Sequence, residues 1–327
     1  MIKQSFDNFS DTNAKGLTRK SFDNLLSALL VNEDNKPYHI PIQWKTHLFN
    51  LFDTNGDDII DNQEFQQMWN NWIHTILEPT SALIVVDVQN DFISGSLAIN
   101  KCEAGQQGEE VIPVINQLLD TIPFNKVFYS QDWHPSDHIS FYENRTLRKF
   151  SSIEGKCPSN VNLYDTVVFE GPPQTRQKLW PNHCIQQTWG SLLHSQLKIV
   201  DNSVFIYKGT QSHIDSYSVF WDNQRLSQTN LDQQLQGLGV SDVYVCGIAT
   251  DICVGYTAVD SCQLGYRTVL IDDGCRGVSD TAINQTKQQL DRNLAVCVHS
   301  NQVYHLVTGS DRRPELAYKM AIKQLDH

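Results

Sequence analysis

Cys253 follows Thr250-Asp251 at the expected start of a helix, where free amides and the macrodipole favour a thiolate. A cysteine so placed is a candidate nucleophile. Nucleophilic catalysis also calls for a base and a charge partner, and Asp87 and Lys208 each close or follow a short apolar run elsewhere in the chain. Asp132 and His134 stand two residues apart at the end of another such run, so a carboxylate and an imidazole can face one side, while His183 comes from a separate loop. Two imidazoles and one carboxylate with open positions suit Zn²⁺, Fe²⁺ or Mn²⁺.

The elements that must position these groups are legible as short β-rich runs at 82–86, 126–129, 204–207, 243–246 and 268–271, separated by helical segments such as 106–120, 251–264 and 280–293. That alternation predicts an α/β domain whose parallel sheet is covered on both faces. Open parallel sheets gather their chemistry at the carboxyl ends of the strands. Asp87, Asp132, Lys208 and Gly247 all fall there.

The motifs also come in a recognisable order: DVQNDF (87–92), GSL (95–97), DWHPSDHISF (132–141), LWPNHC (179–184), KGT (208–210), DSYSVF (215–220) and CGIATDICV (246–254). From Ala82 onward the chain resembles nicotinamidases of the isochorismatase-like cysteine hydrolase superfamily. The resemblance implies a three-layer, parallel-sheet hydrolase domain in which Cys253 is the nucleophile, Asp87 the general acid/base and Lys208 the cation that holds carboxylate and thiolate in place. It implies an oxyanion hole made of the Cys253 and Ala249 backbone N–H groups. It assigns Asp132, His134 and His183 to one divalent metal, zinc foremost with iron or manganese as alternatives, and leaves His138, Asp215 or water for a further position. Phe92 and Trp180 are expected to line a pocket for a flat ring, with Tyr217 and Gln89 nearby and Trp133 either in the pocket or in the core.

The activity implied is hydrolysis of nicotinamide to nicotinic acid and ammonia through a cysteine thioester, in the recycling of nicotinamide to NAD. Two alternatives stand beside it: another metal-containing cysteine amidohydrolase of the superfamily, and a calcium-responsive, non-catalytic binding protein. Asn182 and Gln187 depart from the family pattern, where Asp and Gly are common. The stretch 142–178 is longer than compact relatives need and is expected to be a lid or an oligomer contact. A homo-oligomer is compatible with this reading.

Residues 53–64 place oxygen-bearing groups between two helical stretches, and their order resembles the EF-hand calcium loop. The resemblance assigns Ca²⁺ to Asp53, Asn55, Asp57, the carbonyl of Ile59, Asp61 and Glu64. Asp58 stands at the sixth loop position, where Gly normally allows a positive φ. Phe9, Leu17 and Phe22 repeat the framing of Phe52, Ile60 and Phe65, so a first, degenerate loop is expected upstream. The chain thus divides into a small all-α EF-hand pair at 1–79 and a catalytic domain at 80–327, joined visibly only by the break at 78–81.

A chain of 327 residues is long enough for two such units. Its net charge of −12 argues against nucleic acid and anionic membranes as partners. The N-terminus carries no apolar signal core, and the eight cysteines lack CxxC spacing, so a reducing, cytoplasmic setting is expected.

Overall fold

The computed structural model describes residues 2–11, 14–152, 156–171 and 173–323. Helices α1 (Ile2–Phe9), α2 (Arg19–Leu29), α3 (Ile42–Phe52) and α4 (Asn62–Met68) open the chain, and α4 runs through a π-turn at Trp69–Ile73 into α5 (His74–Leu77). Then come β1 (Ser81–Val86), α6 (Asn90–Ile93), α7 (Val111–Thr121), β2 (Lys126–Asp132), β3 (Thr166–Phe169), β4 (Thr175–Lys178) and β5 (Val204–Lys208). The rest is α8 (Leu231–Gly237), β6 (Asp242–Ile248), α9 (Cys253–Gln263), β7 (Arg267–Arg276), α10 (Asp280–Arg292), β8 (Val296–Val298), α11 (Ser300–Val307) and α12 (Pro314–Lys323).

Six strands form one sheet in the order β5-β2-β1-β6-β7-β8, and every neighbouring pair is parallel. All residues of β1 and β6 are buried, which explains their unbroken apolar runs. The chain builds outward from β1 through β2 to β5, then returns to place β6 beside β1 and builds the other way. That reversal opens a crevice at the carboxyl ends of β1 and β6. Gly247 sits there with φ +127°, and a Cβ on it would lie 2.1 Å from the Val86 carbonyl oxygen, so the two strands meet only because this residue lacks a side chain. Within 142–178, β3 and β4 pair antiparallel over a small core of Ile139, Val161, Val167, Phe169 and Leu179.

The N-terminal helices share a core with Leu17 and Ile60, which exchange backbone hydrogen bonds at 2.9 Å in both directions. In the loop 53–64, Asp53 accepts from the amides of Gly56, Asp57 and Asp58, Asn55 from Asp57, Asp57 from Ile59, and Asp61 from Gln63 and Glu64. Glu64 reaches back to the Thr54, Asn55 and Asp61 amides, the last closing a capping box. Asp58 has φ +64°, as its position implied, and pairs with Arg19 at 2.7 Å. Thr12 and Asn13 of the upstream loop lie outside the described residues.

The structure differs from the sequence reading in how the two units are joined. Helix α12 joins the two cores: Leu316 is buried in that of the sheet, Ala317 and Ala321 in that of the N-terminal helices, the Trp72 indole donates to the Ala317 carbonyl at 2.8 Å, and Trp44 stacks on Tyr318 with centroids 4.6 Å apart. Tyr38 donates to Asp311 at 2.8 Å and Arg312 N–H to the Val31 carbonyl at 2.9 Å. A cut at residue 79 therefore does not separate two packing units. Among the described residues no helix is long and apolar enough to cross a membrane. All eight cysteines are free.

Candidate active site

Lys208 ends β5 fully buried, a position that an ammonium can hold only among charge partners. Its Nζ lies 2.9 Å from Asp87 Oδ2, 2.5 Å from Asp132 Oδ1 and 3.3 Å from Cys253 Sγ, and it donates to the Ser216 carbonyl at 3.1 Å. Burial alone would lower the Lys208 pKa, but Asp132, Asp87 and Cys253 carry it well above its ordinary value, so it stays cationic. Asp87 sits on a left-handed turn immediately after β1, with φ +51°, and accepts from Ser130 Oγ at 2.6 Å. Its other oxygen, Oδ2, is the one that pairs with Lys208.

Cys253 is the first residue of α9, as expected, and its Sγ lies within 4.8 Å of carboxylate oxygens of both Asp87 and Asp132. The helix start favours a thiolate, and the surroundings oppose it. Burial pushes the thiol well above its ordinary range, Lys208 pulls it down, and Asp87 and Asp132 push it up again. Asp87 is itself raised, by burial first, with Lys208 opposing and Asp132 reinforcing. A raised acid beside a raised thiol is an arrangement in which one proton can pass between them.

Asp132, His134 and His183 converge as expected, with ligand atoms within 4.8 Å of one another. His134 Nε2 is 3.5 Å and His183 Nε2 3.8 Å from Asp132 Oδ2. His134 Nδ1 is tied to the Gly209 carbonyl at 2.8 Å and His183 Nδ1 to the Pro181 carbonyl at 2.7 Å, so each ring offers Nε2 toward the carboxylate. Burial, then His134, lowers His183 to about 4, leaving it neutral and able to donate a lone pair. The donor set fits a divalent metal. Asp215 and His138 come together with His134, ligand atoms within 4.8 Å of one another; Asp215 also faces the pocket, and His138 stacks on His134 at 4.0 Å with its nitrogens engaged by Ser140 and the Ile214 carbonyl.

A cavity of about 450 Å³, mouth included, opens over Cys253 and is lined by Phe92, Trp180, His183, Asp215, Tyr217 and Ala249 among others. Phe92, Trp180 and Tyr217 thus stand where the sequence reading puts them. Gln89 does not face the cavity; its amide donates to the Asp132 and Ser191 carbonyls and accepts from the Asp132 N–H, all at 2.8 Å, clamping the backbone of a candidate ligand. Trp133 packs on Tyr207, centroids 4.8 Å apart. The two amides expected to form an oxyanion hole differ in their partners. Cys253 opens its helix, where an amide has no intrahelical partner, but the Ala249 amide donates to the Arg276 carbonyl at 2.8 Å.

Several supporting residues lie beside or inside the motifs without a role that the motifs themselves reveal. Ser130 reads as one more small residue inside an apolar strand. Asp91 accepts from the Cys184 amide at 2.7 Å and so fixes the loop that carries His183; Gly190 passes so close that a Cβ would sit 1.9 Å from the Asp91 carboxylate. Gly209, at φ +61°, leaves room for the His134 ring 2.3 Å from where its Cβ would be. Only its place within KGT could have marked it.

Residues 81–302 match the isochorismatase domain, and the chain belongs to that family. It is 38% identical over 204 residues to a nicotinamidase of Escherichia coli strain K12, a match covering 62% of this chain and 85% of the relative. Among solved structures it is similar to a nicotinamidase and pyrazinamidase of Acinetobacter baumanii, at TM-score 0.59 and 36% identity over 68% of this chain and 98% of that one. It is also similar to a pyrazinamidase of Pyrococcus horikoshii in complex with zinc, at TM-score 0.50 and 27% identity over 68% and 99% of the two chains.

Proposed function

We infer that the chain is a nicotinamidase, hydrolysing nicotinamide to nicotinic acid and ammonia. The observation that carries this reading is Lys208, whose Nζ joins Asp87, Asp132 and Cys253 beneath a cavity walled by Phe92, Trp180 and Tyr217. Asp87 takes the thiol proton as Sγ attacks the carboxamide carbon, and the Cys253 N–H stabilises the oxyanion. Collapse breaks the C–N bond, ammonia leaves with the proton held by Asp87, and a thioester remains. Water, losing its proton to Asp87, then releases nicotinic acid and restores the thiol. The Ala249 amide joins the oxyanion hole only by leaving the Arg276 carbonyl.

Asp132, His134 and His183 would hold the metal, zinc before iron or manganese, which when bound supplies a Lewis acid toward the pyridine ring. The three aromatic side chains hold a flat ring and exclude water from the carboxamide. Ammonia release from nicotinamide by the purified chain tests the reading. Turnover of ureido or carbamoyl amides without nicotinamide would favour another amidohydrolase, and no amide turnover would favour the binding protein.

The same reading extends to the N-terminal helices as an EF-hand pair within 1–79, whose apolar core is completed by α12 from the end of the chain. Its second loop takes Ca²⁺ through Asp53, Asn55, Asp57, Ile59, Asp61 and Glu64. Support comes from the Leu17–Ile60 bridge, which pairs the two loops, and from the positive φ at Asp58. Calorimetric titration with Ca²⁺ tests it. Eight unbridged cysteines and the acidic composition support a cytoplasmic place in nicotinamide recycling.

A further inference from the structure

Between the end of β5 and the start of α8 the chain runs from 209 to 230 without a helix or a named strand, yet this stretch completes the site from two sides. Ser216 presents its carbonyl to Lys208 Nζ at 3.1 Å, and the flanking Asp215 and Tyr217 form cavity wall. An irregular segment with those tasks must be fixed from outside.

The fixing comes from the hairpin. Gln177, on β4 and 2% exposed, donates through Nε2 to Asp215 Oδ2 at 2.8 Å and to the Lys178 carbonyl at 2.8 Å. The other Asp215 oxygen accepts the Ser216 amide at 2.9 Å, so the carboxylate joins the hairpin to the residue whose carbonyl faces Lys208. Three residues beyond Gln177, the Trp180 indole donates to the Tyr217 hydroxyl at 3.4 Å, and Gln224 donates to Thr175 Oγ1 at 2.6 Å. The hairpin and the 215–217 segment are thereby stitched along one side of the cavity.

We infer that Gln177 is a positioning residue: by holding Asp215 it sets the Ser216 carbonyl and, through it, the direction in which Lys208 meets Asp87 and Cys253. The stretch 142–178 is on this account a fixed wall of the site. The inference deepens the nicotinamidase reading and rests on it for the turnover measurement only; reactivity of the Cys253 thiol needs no substrate.

Three variants decide the matter: Gln177→Met, of similar length with no donor; Gln177→Glu, of the same shape with an acceptor facing a carboxylate; and Gln177→Glu with Asp215→Asn, which reverses the polarity of the hydrogen bond while Asn keeps an oxygen for the Ser216 amide. Each is assayed for nicotinamide kcat and KM, and for iodoacetamide modification of Cys253 followed by peptide mapping, on protein with wild-type circular dichroism and metal content. The expected result is a kcat about tenfold down in Gln177→Met and lower still in Gln177→Glu, with KM changed less. Cys253 alkylation slows in the same order and recovers in the double variant. If Gln177→Glu alkylates as fast as wild type or faster than Gln177→Met, or if Asp215→Asn restores nothing, Gln177 merely fills space and the inference is overturned. Should Gln177→Met fail the circular dichroism criterion, Gln177→Ala takes its place in the same order. A wild-type chain that releases no ammonia refutes the nicotinamidase reading while the alkylation order still decides the role of Gln177.

Discussion

Lys208 Nζ approaches Cys253 Sγ to 3.3 Å while also pairing with two carboxylates, so the cation that would stabilise a thiolate is shared. Sharing leaves burial as the larger influence on the thiol, and in the proposed mechanism the proton passes to Asp87 as the sulfur attacks.

Cys253→Ala is expected to abolish ammonia release and leave the fold intact, because little buried volume is lost at the helix start. Cys246→Ala is the control. That thiol is fully buried in β6, so its loss should cost about 1 kcal/mol of stability and leave turnover in place. Thermal unfolding and an ammonia assay on both variants check the contrast; wild-type turnover by Cys253→Ala would refute the mechanism.

Ser130→Ala should move the acid limb of kcat/KM to higher pH. The Ser130 hydroxyl donates to the charged form of Asp87 and so lowers a pKa that burial has raised. Removing it raises that pKa further, and Asp87 must be ionised to take the thiol proton, so activity is lost first on the acidic side. A pH–rate profile whose acid limb stays put, or moves down, would show that another group limits it.

Two variants address the metal. His183→Ala should lower bound metal and weaken nicotinamide binding more than it slows alkylation of Cys253. Gly209→Ala removes no ligand, yet its Cβ would meet the His134 ring at 2.3 Å on a backbone with φ +61°. It should cost about 10–100-fold in metal affinity, as displacing a supporting group usually does. Elemental analysis and competition with a chelator measure both; a Gly209→Ala protein with wild-type affinity would show that His134 does not need that carbonyl.

Glu64→Gln should sharply weaken Ca²⁺ binding, and Asp58→Gly should strengthen it by relieving the positive φ at that residue. The contacts of the N-terminal helices with the rest of the chain include Arg267 at the start of β7, which donates to the Thr75 carbonyl at 3.1 Å, whereas the site lies at the other ends of the strands. Turnover should therefore change less than about tenfold on adding calcium. Unfolding should respond more, because α12 ties both units together: saturation at 100 times Kd adds about 2.7 kcal/mol to one shared transition. Two thermal transitions, of which calcium moves only the first, would contradict that coupling.

The central strands can be read from the sequence because β1 and β6 are buried on both faces and their runs are almost wholly apolar. β8 cannot: three residues are too short to show a period. Asp87, Asp132, His134, His183, Lys208 and Cys253 are legible because each belongs to a motif at a strand end, a helix start or a loop. What the motifs do not show is the state of each group. The protonation of Cys253 depends on desolvation and on two carboxylates brought from other strands. The engagement of the Ala249 amide depends on the register of β6 with β7. Gln89 stands close to Asp87 in sequence, which points to the pocket, but its side chain turns back to the Asp132 backbone. The docking of α12 is invisible for a different reason, in that a short helix burying Leu316, Ala317 and Ala321 does not say which core it joins.

Trp72 and Ala317 lie on opposite sides of the matched segment 81–302, and so do all the helices they bring together. The two outlying stretches are consequently a matched set that travels as one. Transplanting only the first 80 residues onto a compact relative would deliver a helical cap with an uncovered apolar face, and transplanting only the tail would leave Ala317, Ala321 and Tyr318 without the helices that cover them. A domain exchange that respects this architecture must carry both ends together.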